Sequence, residues 1–465
     1  MRSLNIQKLS LRDYRCFEAI DIEFDKQLTV LVASNGVGKT SILDAIAVAF
    51  GPYIGAFDES VGSGFAASDI RRIRVRETAS NEMEYAPTGV RLIASGFVPE
   101  HFLIAALHAD LGIEPPDTVW QRSLAGPIKA KTTIKDAKDL IDYGKRQQLA
   151  VRTPNSDVIL PLLAYYGTGR LWHFIKETDS KTVSRSSRTT GYTDCLNPAS
   201  SYKIFVSWFK YWSTNAFKGR ITASDAGRVY EPTEFDHFIA SVSGAVNTCL
   251  APAGWTNISY SLAREELVAH HEQHGELPVA LLSDGIRNMI GMVADIAFRA
   301  TKLNPELGAM AAQKTPGVVL IDEVDMHLHP EWQQVVLQSL LAAFPCVQFI
   351  VTTHSPQVLS TVRRENIRIL RQTETGHEAV MPEFSPLAHE SGDALARVMS
   401  TPKQPPLDEL LATVHEFEQR VRAGQEASTE AKVLRQTLDA AGYQIHDSDL
   451  ATWRFLAQRK AQQGG

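Results

Sequence analysis

A chain of 465 residues with 44% hydrophobic content can bury two or three packed units, which excludes both disorder and a small stapled scaffold. Its net charge of −6 excludes a globally basic nucleic-acid binder and leaves only a local patch for such a role. Four scattered cysteines (Cys16, Cys195, Cys249 and Cys346) have no paired spacing, which excludes a disulfide framework and points to a reducing compartment.

The start, "MRSLNIQKLSLRDY", alternates polar and apolar residues and does not read as a signal peptide. "LNIQKLSL" and "AIDIEF" predict half-buried strands, and "LTVLVA" predicts a fully buried one. A helix is expected from Thr40 to about Phe50, with Ile42, Ile46 and Ala49 on one face. This most apolar segment is cut by Asp44 and then by Gly51-Pro52, so it reads as a buried helix. The expectation is a soluble cytoplasmic protein with no membrane contact. "RRIRVRE" and "GVRLIASGF" predict further strands, and the stretch to about Val151 reads as helix and turn. "DVILPLLAYYGTGRLW" then returns to a buried strand closed by a glycine turn.

From Trp172 to about Gly275 strand periodicity weakens, while basic, hydroxyl and aromatic residues accumulate. Two apolar strands reappear in "GVVLIDEVD" and "VQFIVTTHSP", and a helix between them opens at Pro330. After about Ser391 the chain reads as helical, interrupted by "TPKQPP". The organisation is an α/β core made by the two ends of the chain, an inserted middle lobe and a helical tail.

Chemistry concentrates at the strand ends. In "ASNGVGKTS", Gly36 and Gly38 let backbone N–H groups approach an anion at a helix mouth. Lys39 supplies a charge for β/γ-phosphates and Thr40 a hydroxyl for magnesium. Ala33 stands where the usual pattern has its first glycine, which alanine serves only if its φ is negative. In "GVVLIDEVD" the apolar run places Asp322 and Glu323 at the carboxyl edge of a buried strand. Asp322 is the candidate magnesium holder and Glu323 the candidate general base for an attacking water. His354 ends a further strand, within reach of a γ-phosphate. His327 and His329, two residues apart with no third ligand, read as a loop and not as a metal site. In "LLSDGIRNMIGMVADIAF", Ser283 is a helix N-cap and Gly285 frees the backbone, which makes a second anion-binding helix mouth.

The stretches "SNGVGKT", "LSDGIR", "LIDEVD" and "TTHSP" resemble, in order, the Walker A, signature, Walker B and switch-histidine motifs of ABC-type ATPase heads. The resemblance implies an α/β fold, an ABC-type P-loop NTPase head carried by residues 1–171 and 276–392. An inserted, mainly helical, basic-aromatic lobe would span 172–275, and a helical carboxyl-terminal region over 393–465 would be free for partner docking. It implies ATP and Mg2+ as cofactors, with Asn35, Gly36, Val37, Gly38, Lys39, Thr40, Ser41, Ser283 and Gly285 binding nucleotide. Thr40 and Asp322 would hold the metal, and Glu323, His354 and Lys39 would be catalytic. It also implies a head-to-tail dimer or higher homo-oligomer, in which Ser283 and Gly285 of one copy close on the nucleotide held by Lys39 of another. Asp325 would lie in the connecting D-loop. Asp284 replaces the second glycine of the transporter signature, as in the RecF/SMC/OLD branch. No glutamine stands at the Q-loop region, where "YYGTGR" lies.

The opening "LSLRDYRCFEAIDIEF", with Arg15 in its turn, is similar to that branch as well. "SDIRR", "YYGTGRLW", "GYTDCLNPASS" and "DMHLHPEWQQ" resemble the ATPase family that includes PtuA of Septu anti-phage systems. Related ATPases accompany some retrons. This resemblance implies an HNH-type nuclease partner (PtuB in Septu), with no nuclease in this chain. The pair Asp447 and Asp449 reads as the capped start of a helix. Between Arg170 and Arg220 nine Lys/Arg face three Asp/Glu among several aromatics, which fits either a DNA surface or a helix burying one face. Two other functions stay open: a RecF-like repair ATPase that binds DNA directly, and a non-hydrolysing scaffold locked by nucleotide. A transporter ATPase suits the long insertion and acidic signature least.

Overall fold

In a computed structural model of the chain, residues 3–463 are described, apart from 59, 75–82, 100–115, 129, 155, 170–186, 199–202, 375, 400–407, 444 and 446. Arg76, Trp172, Tyr202 and the "TPKQPP" interruption therefore lie outside the described residues. The chain divides into two compact units, Met1–Met399 and Ser400–Gly465.

The first unit begins with a hairpin, β1 (Lys8–Tyr14) and β2 (Phe17–Glu23), in which Asp13 near the end of β1 and Arg15 in the turn take φ of 50° and 49°. The buried strand β3 (Leu28–Val32) leads into the helix Lys39–Ile54. A short hairpin, β4 (Arg72–Arg74) with β5 (Met83–Tyr85), follows, then β6 (Val90–Gly96) and β7 (Thr118–Leu124). The order β2–β1–β6–β7 forms an antiparallel sheet. β7 lies in the stretch expected to be helix and turn; its alternation "TVWQRSL" is hidden by glutamine and arginine, although Trp120 and Arg122 both point inward.

The central sheet is built from β8 (Leu162–Tyr166), β12 (Gly317–Ile321), β13 (Val347–Thr352), β14 (Ile367–Thr373) and β15 (Gly376–Val380), together with β3. Its order is β15–β14–β3–β13–β12–β8, and only β15 runs antiparallel. Strands β3, β8, β12 and β13 are buried at every position, as continuous apolar runs covered on both faces should be. Because β3, β13, β12 and β8 are parallel neighbours, their carboxyl ends share one edge.

The helix Lys39–Ile54 touches β6 and β7 of the antiparallel sheet and β13 of the central one. It is apolar almost all round and contains Pro52, which has no N–H to give the carbonyl of Val48. Arg122 replaces that donor, its Nη1 bonding the Val48 oxygen at 2.7 Å, while Trp120 Nε1 bonds the Ala49 oxygen at 3.0 Å.

Between the two halves of the sheet come the helices Lys203–Asp225 and Glu234–Leu250, then a three-stranded sheet of β9 (Trp255–Ser261), β10 (Glu266–His271) and β11 (Gly275–Pro278). This small sheet corrects the weak-periodicity reading: β9 alternates buried and exposed residues, but over only seven positions. Phe205, Phe209 and Trp212 are buried and face the helix Asp284–Leu303, with the Trp212 and Phe298 rings 5.7 Å apart. Lys302 sits over the Trp208 ring at 3.6 Å. Phe205, Phe209 and Trp212 are therefore core and not a stacking platform for bases.

The helix Asp284–Leu303 carries a buried ion pair, Arg299 Nε to Asp295 Oδ2 at 2.7 Å. Two backbone carbonyls, of Gly191 and Thr193, accept from the Arg299 Nη1 at 2.9 Å each, the kind of pairing a buried charge requires.

The second unit contains the helices Asp408–Arg422, Thr429–Ala440 and Asp447–Gln463 around Val414, Phe417, Val421, Ala431 and Leu438. Asp447 opens the last helix, as its acidic start suggests.

Candidate functional site

The loop after β3 turns twice through the left-handed region, at Gly36 (φ 83°) and Gly38 (φ 103°). Gly38 is required for space as well, since a Cβ there would lie 2.4 Å from Phe17 Cζ and 2.7 Å from Cys16 Sγ. Ala33 is not among the positive-φ residues, so the conformation at that position suits alanine. Its carbonyl accepts a bond from Lys39 Nζ at 2.9 Å across the loop. Burial lowers the Lys39 pKa, and the nearby Asp322, Glu323 and Asp325 carboxylates oppose that shift.

β12 ends one residue before Asp322, which is 2% exposed. Thr40 Oγ1 donates to its Oδ2 at 2.7 Å and Thr352 Oγ1 to its Oδ1 at 2.6 Å. The N–H of Asp322 bonds the Tyr166 carbonyl at 2.8 Å, which ties the turn to β8. Glu323 takes a left-handed φ of 47°, and its N–H bonds Thr352 Oγ1 at 2.7 Å. Asp325 accepts from Thr353 Oγ1 at 2.5 Å. His354, just past β13, is half-buried; burial and the Lys39 charge hold its pKa below the ordinary 6.5 against the pull of the three carboxylates.

Lys39, Thr40, Asp322, Glu323 and His354 line one cleft of about 580 Å³, together with Asn35, Gly36, Gly38 and Ser41. Arg15 and Cys16 line it too, and sequence reasoning placed Arg15 only in a turn. The Arg15 guanidinium is braced by Asp44 Oδ2 at 2.5 Å and Asp69 Oδ1 at 2.8 Å. The signal for both residues was their place at the tip of the hairpin "RDYRCFE", yet contact with the loop depends on packing of β1 and β2. Val37 packs its side chain against the core and does not line the cleft, so only its backbone is available there.

Ser283 and Gly285 are not brought to this cleft within one chain. Ser283 occupies the N-cap position of its helix, is exposed, and makes no side-chain cap bond. Gly285 is buried against the loop after β12, where a Cβ would meet the His327 carbonyl at 2.3 Å. His327 and His329 are exposed, and among the described residues no group of three or more His, Cys, Asp or Glu is placed to hold a metal. Thr40 and Asp322 nevertheless fit magnesium: two hard oxygens in contact, with room in the cleft for waters and phosphate oxygens to complete the shell. "YYGTGR" leaves β8 beside Asp322, and Gly167 sits so close to Pro198 that a Cβ would lie 2.6 Å from its Cβ. Among the described residues no helix is long and apolar enough to cross a membrane.

A family model described as an AAA domain matches residues 8–207. A second AAA-domain model, the one named with the AbiEii toxin of type IV TA systems, matches residues 260–360. The chain is 25% identical over 477 residues to the retron Vc95 probable ATPase of Vibrio cholerae serotype O1 biovar El Tor, spanning 93% of this chain and 87% of that protein. The chain is similar to AAA-domain ATPases, and these likenesses support an ABC-type ATPase of the RecF/SMC/OLD branch. The Septu protein PtuA of Bacillus mycoides is 37% identical over 93 residues, 20% of this chain and 12% of that protein. Among solved structures, the SMC head bound to the C-winged helix domain of ScpA is 16% identical with a TM-score of 0.45, over 81% of this chain and 96% of that one.

Proposed function

We propose that the chain is the ATP-hydrolysing subunit of an anti-phage defence complex, which dimerises head-to-tail around ATP and regulates an HNH-type nuclease partner. The observation that carries this reading is the meeting of Lys39, Thr40, Asp322, Glu323 and His354 in one cleft, from sequence positions hundreds of residues apart. The similarity to a retron ATPase over nearly the whole chain, and to PtuA over a fifth of it, supports the defence setting.

In this reading the N–H groups of the Gly36–Ser41 turn and the Lys39 ammonium bind the β- and γ-phosphates. Thr40 donates its hydroxyl hydrogen bond to Asp322, which leaves the oxygen's lone pairs directed away from the carboxylate for a cation. Magnesium, when bound there, supplies charge that neutralises the phosphates during transfer. Glu323 polarises the attacking water, and His354, held neutral near pH 7, donates a hydrogen bond toward the γ-phosphate. Ser283, exposed and away from its own cleft, serves the cleft of a second copy.

Among the described residues, Phe205, Phe209 and Trp212 are buried and unavailable to stack on bases, which weakens the case for direct DNA binding by the middle lobe. The test is ATP turnover by the purified chain, and co-expression with the neighbouring open reading frame followed by copurification. Turnover abolished by Glu323→Gln, together with a copurifying nuclease, supports the proposal. If nothing copurifies and the neighbour encodes no nuclease, the repair reading replaces it. If the chain binds ATP and never turns it over, the scaffold reading does.

A further inference from the structure

Thr352, the last residue of β13, holds three consecutive residues of the turn after β12. Its hydroxyl donates to Asp322 Oδ1 at 2.6 Å and accepts from the Glu323 N–H at 2.7 Å, and its carbonyl accepts from the Val324 N–H at 3.0 Å. Thr352 is 0% exposed, so no water competes for these groups. Glu323 is held at a φ of 47°, a conformation that an L-residue with a side chain rarely adopts. A strand that simply continued would send Glu323 along β12. The bond from its N–H to the Thr352 hydroxyl instead fixes the chain where it turns. The same hydroxyl, through its single proton, sets one oxygen of Asp322 while Thr40 sets the other. One side chain therefore fixes the orientation of the carboxylate proposed for magnesium and the backbone of the carboxylate proposed for water.

We propose that Thr352 is a positioning residue for hydrolysis: its hydroxyl locks the Asp322–Glu323 turn, so that turnover depends on it and ATP binding does not. This rests on the hydrolytic reading given above. Phosphate binding is carried by the Gly36–Ser41 turn and Lys39, none of which touches Thr352 through a hydrogen bond, whereas the Glu323 backbone does.

The experiment compares Thr352→Val, which keeps the shape and loses the hydroxyl, with Thr352→Ser, which keeps the hydroxyl. Thr352→Val is expected to lower kcat by about 10- to 100-fold, the scale of a misplaced catalytic group, with ATP affinity within about threefold of the natural chain. Thr352→Ser is expected to restore most of that loss. Should Thr352→Val fold poorly in a thermal melt, Thr352→Ala against Thr352→Ser supplies the same contrast. The inference is overturned if Thr352→Val turns ATP over like the natural chain, if the serine variant falls as far as the valine, or if ATP affinity falls in step with kcat. A natural chain that binds ATP without hydrolysing it sinks the hydrolytic reading and this inference together. A hydrolysing chain indifferent to Thr352→Val sinks this inference alone.

Discussion

The Thr40 hydroxyl donates to Asp322 Oδ2 at 2.7 Å, joining the first turn of the helix after β3 to the end of β12 across 282 positions of sequence. Both oxygens of Asp322 accept from hydroxyls, Oδ1 from Thr352 at 2.6 Å, and an asparagine amide could accept at only one of them. It follows that Asp322→Asn should weaken the response to magnesium more than the binding of ATP itself. We expect the magnesium concentration for half-maximal turnover to rise by about tenfold or more, since an amide is a far poorer ligand for a hard cation. Turnover measured across a magnesium titration checks this, and an unshifted midpoint would remove Asp322 from the metal site.

Ser283 lies outside the cleft of its own chain, while Lys39 lies inside it. If two copies complete each other's sites, Lys39→Ala and Ser283→Arg inactivate different halves. A mixture of the two variants should then regain ATP turnover, because half of the mixed dimer keeps an intact Lys39 opposite an intact Ser283. The expected recovery is about one quarter of the natural activity after random exchange of subunits, with each variant alone near background. A mixture no more active than its components would sink trans completion.

His354 is held below its ordinary pKa of 6.5, first by burial and then by the Lys39 charge. A depressed histidine stays neutral as pH falls past 6.5, so turnover should be flat near pH 7 and decline only below that value. The sign for stability is the same. In the window just below 6.5 the unfolded chain takes up a proton that the folded chain does not, so acidification favours unfolding there. The pH–rate profile of the natural chain against His354→Gln measures this, and the variant should lack the inflection. An inflection above pH 6.5 would contradict a neutral histidine at this site.

The strands that carry chemistry were legible because each is a continuous apolar run ending in polar residues within one short stretch. Asp322, Glu323 and His354 could be placed at strand ends from their neighbours alone. That β13 lies between β3 and β12 could not, because strand order is decided by packing across the whole chain. Thr352 escaped notice for the same reason: its role exists only once β12 and β13 are paired, with Ile321 opposite Val351. Arg15 and Cys16 likewise reach the cleft only after the β1–β2 hairpin packs on the loop at Gly38. The middle lobe was less legible. Its lysines and aromatics fitted either a nucleic-acid face or a helix burying one face, because composition cannot say which side of a helix faces the core.

Arg122 shows how far from the cleft the helix after β3 is stabilised. Burial pushes its guanidinium down to about 10, with no carboxylate beside it, so it remains charged at neutral pH. It is there for carbonyls: Val48 at 2.7 Å, left without a donor by Pro52, and Thr133 at 2.7 Å. Arg122→Met should destabilise the chain by about 2–3 kcal/mol, the cost of one buried and one half-buried carbonyl left unpaired, partly offset by removing a desolvated charge. In a Pro52→Ala background the Val48 carbonyl regains a helical donor at position 52, so the same substitution should cost less, by about 1 kcal/mol. Denaturant unfolding of the four chains in this cycle measures the coupling directly. Equal losses in both backgrounds would mean that Arg122 supports the sheet at Thr133 alone and leaves the helix to its own bonds.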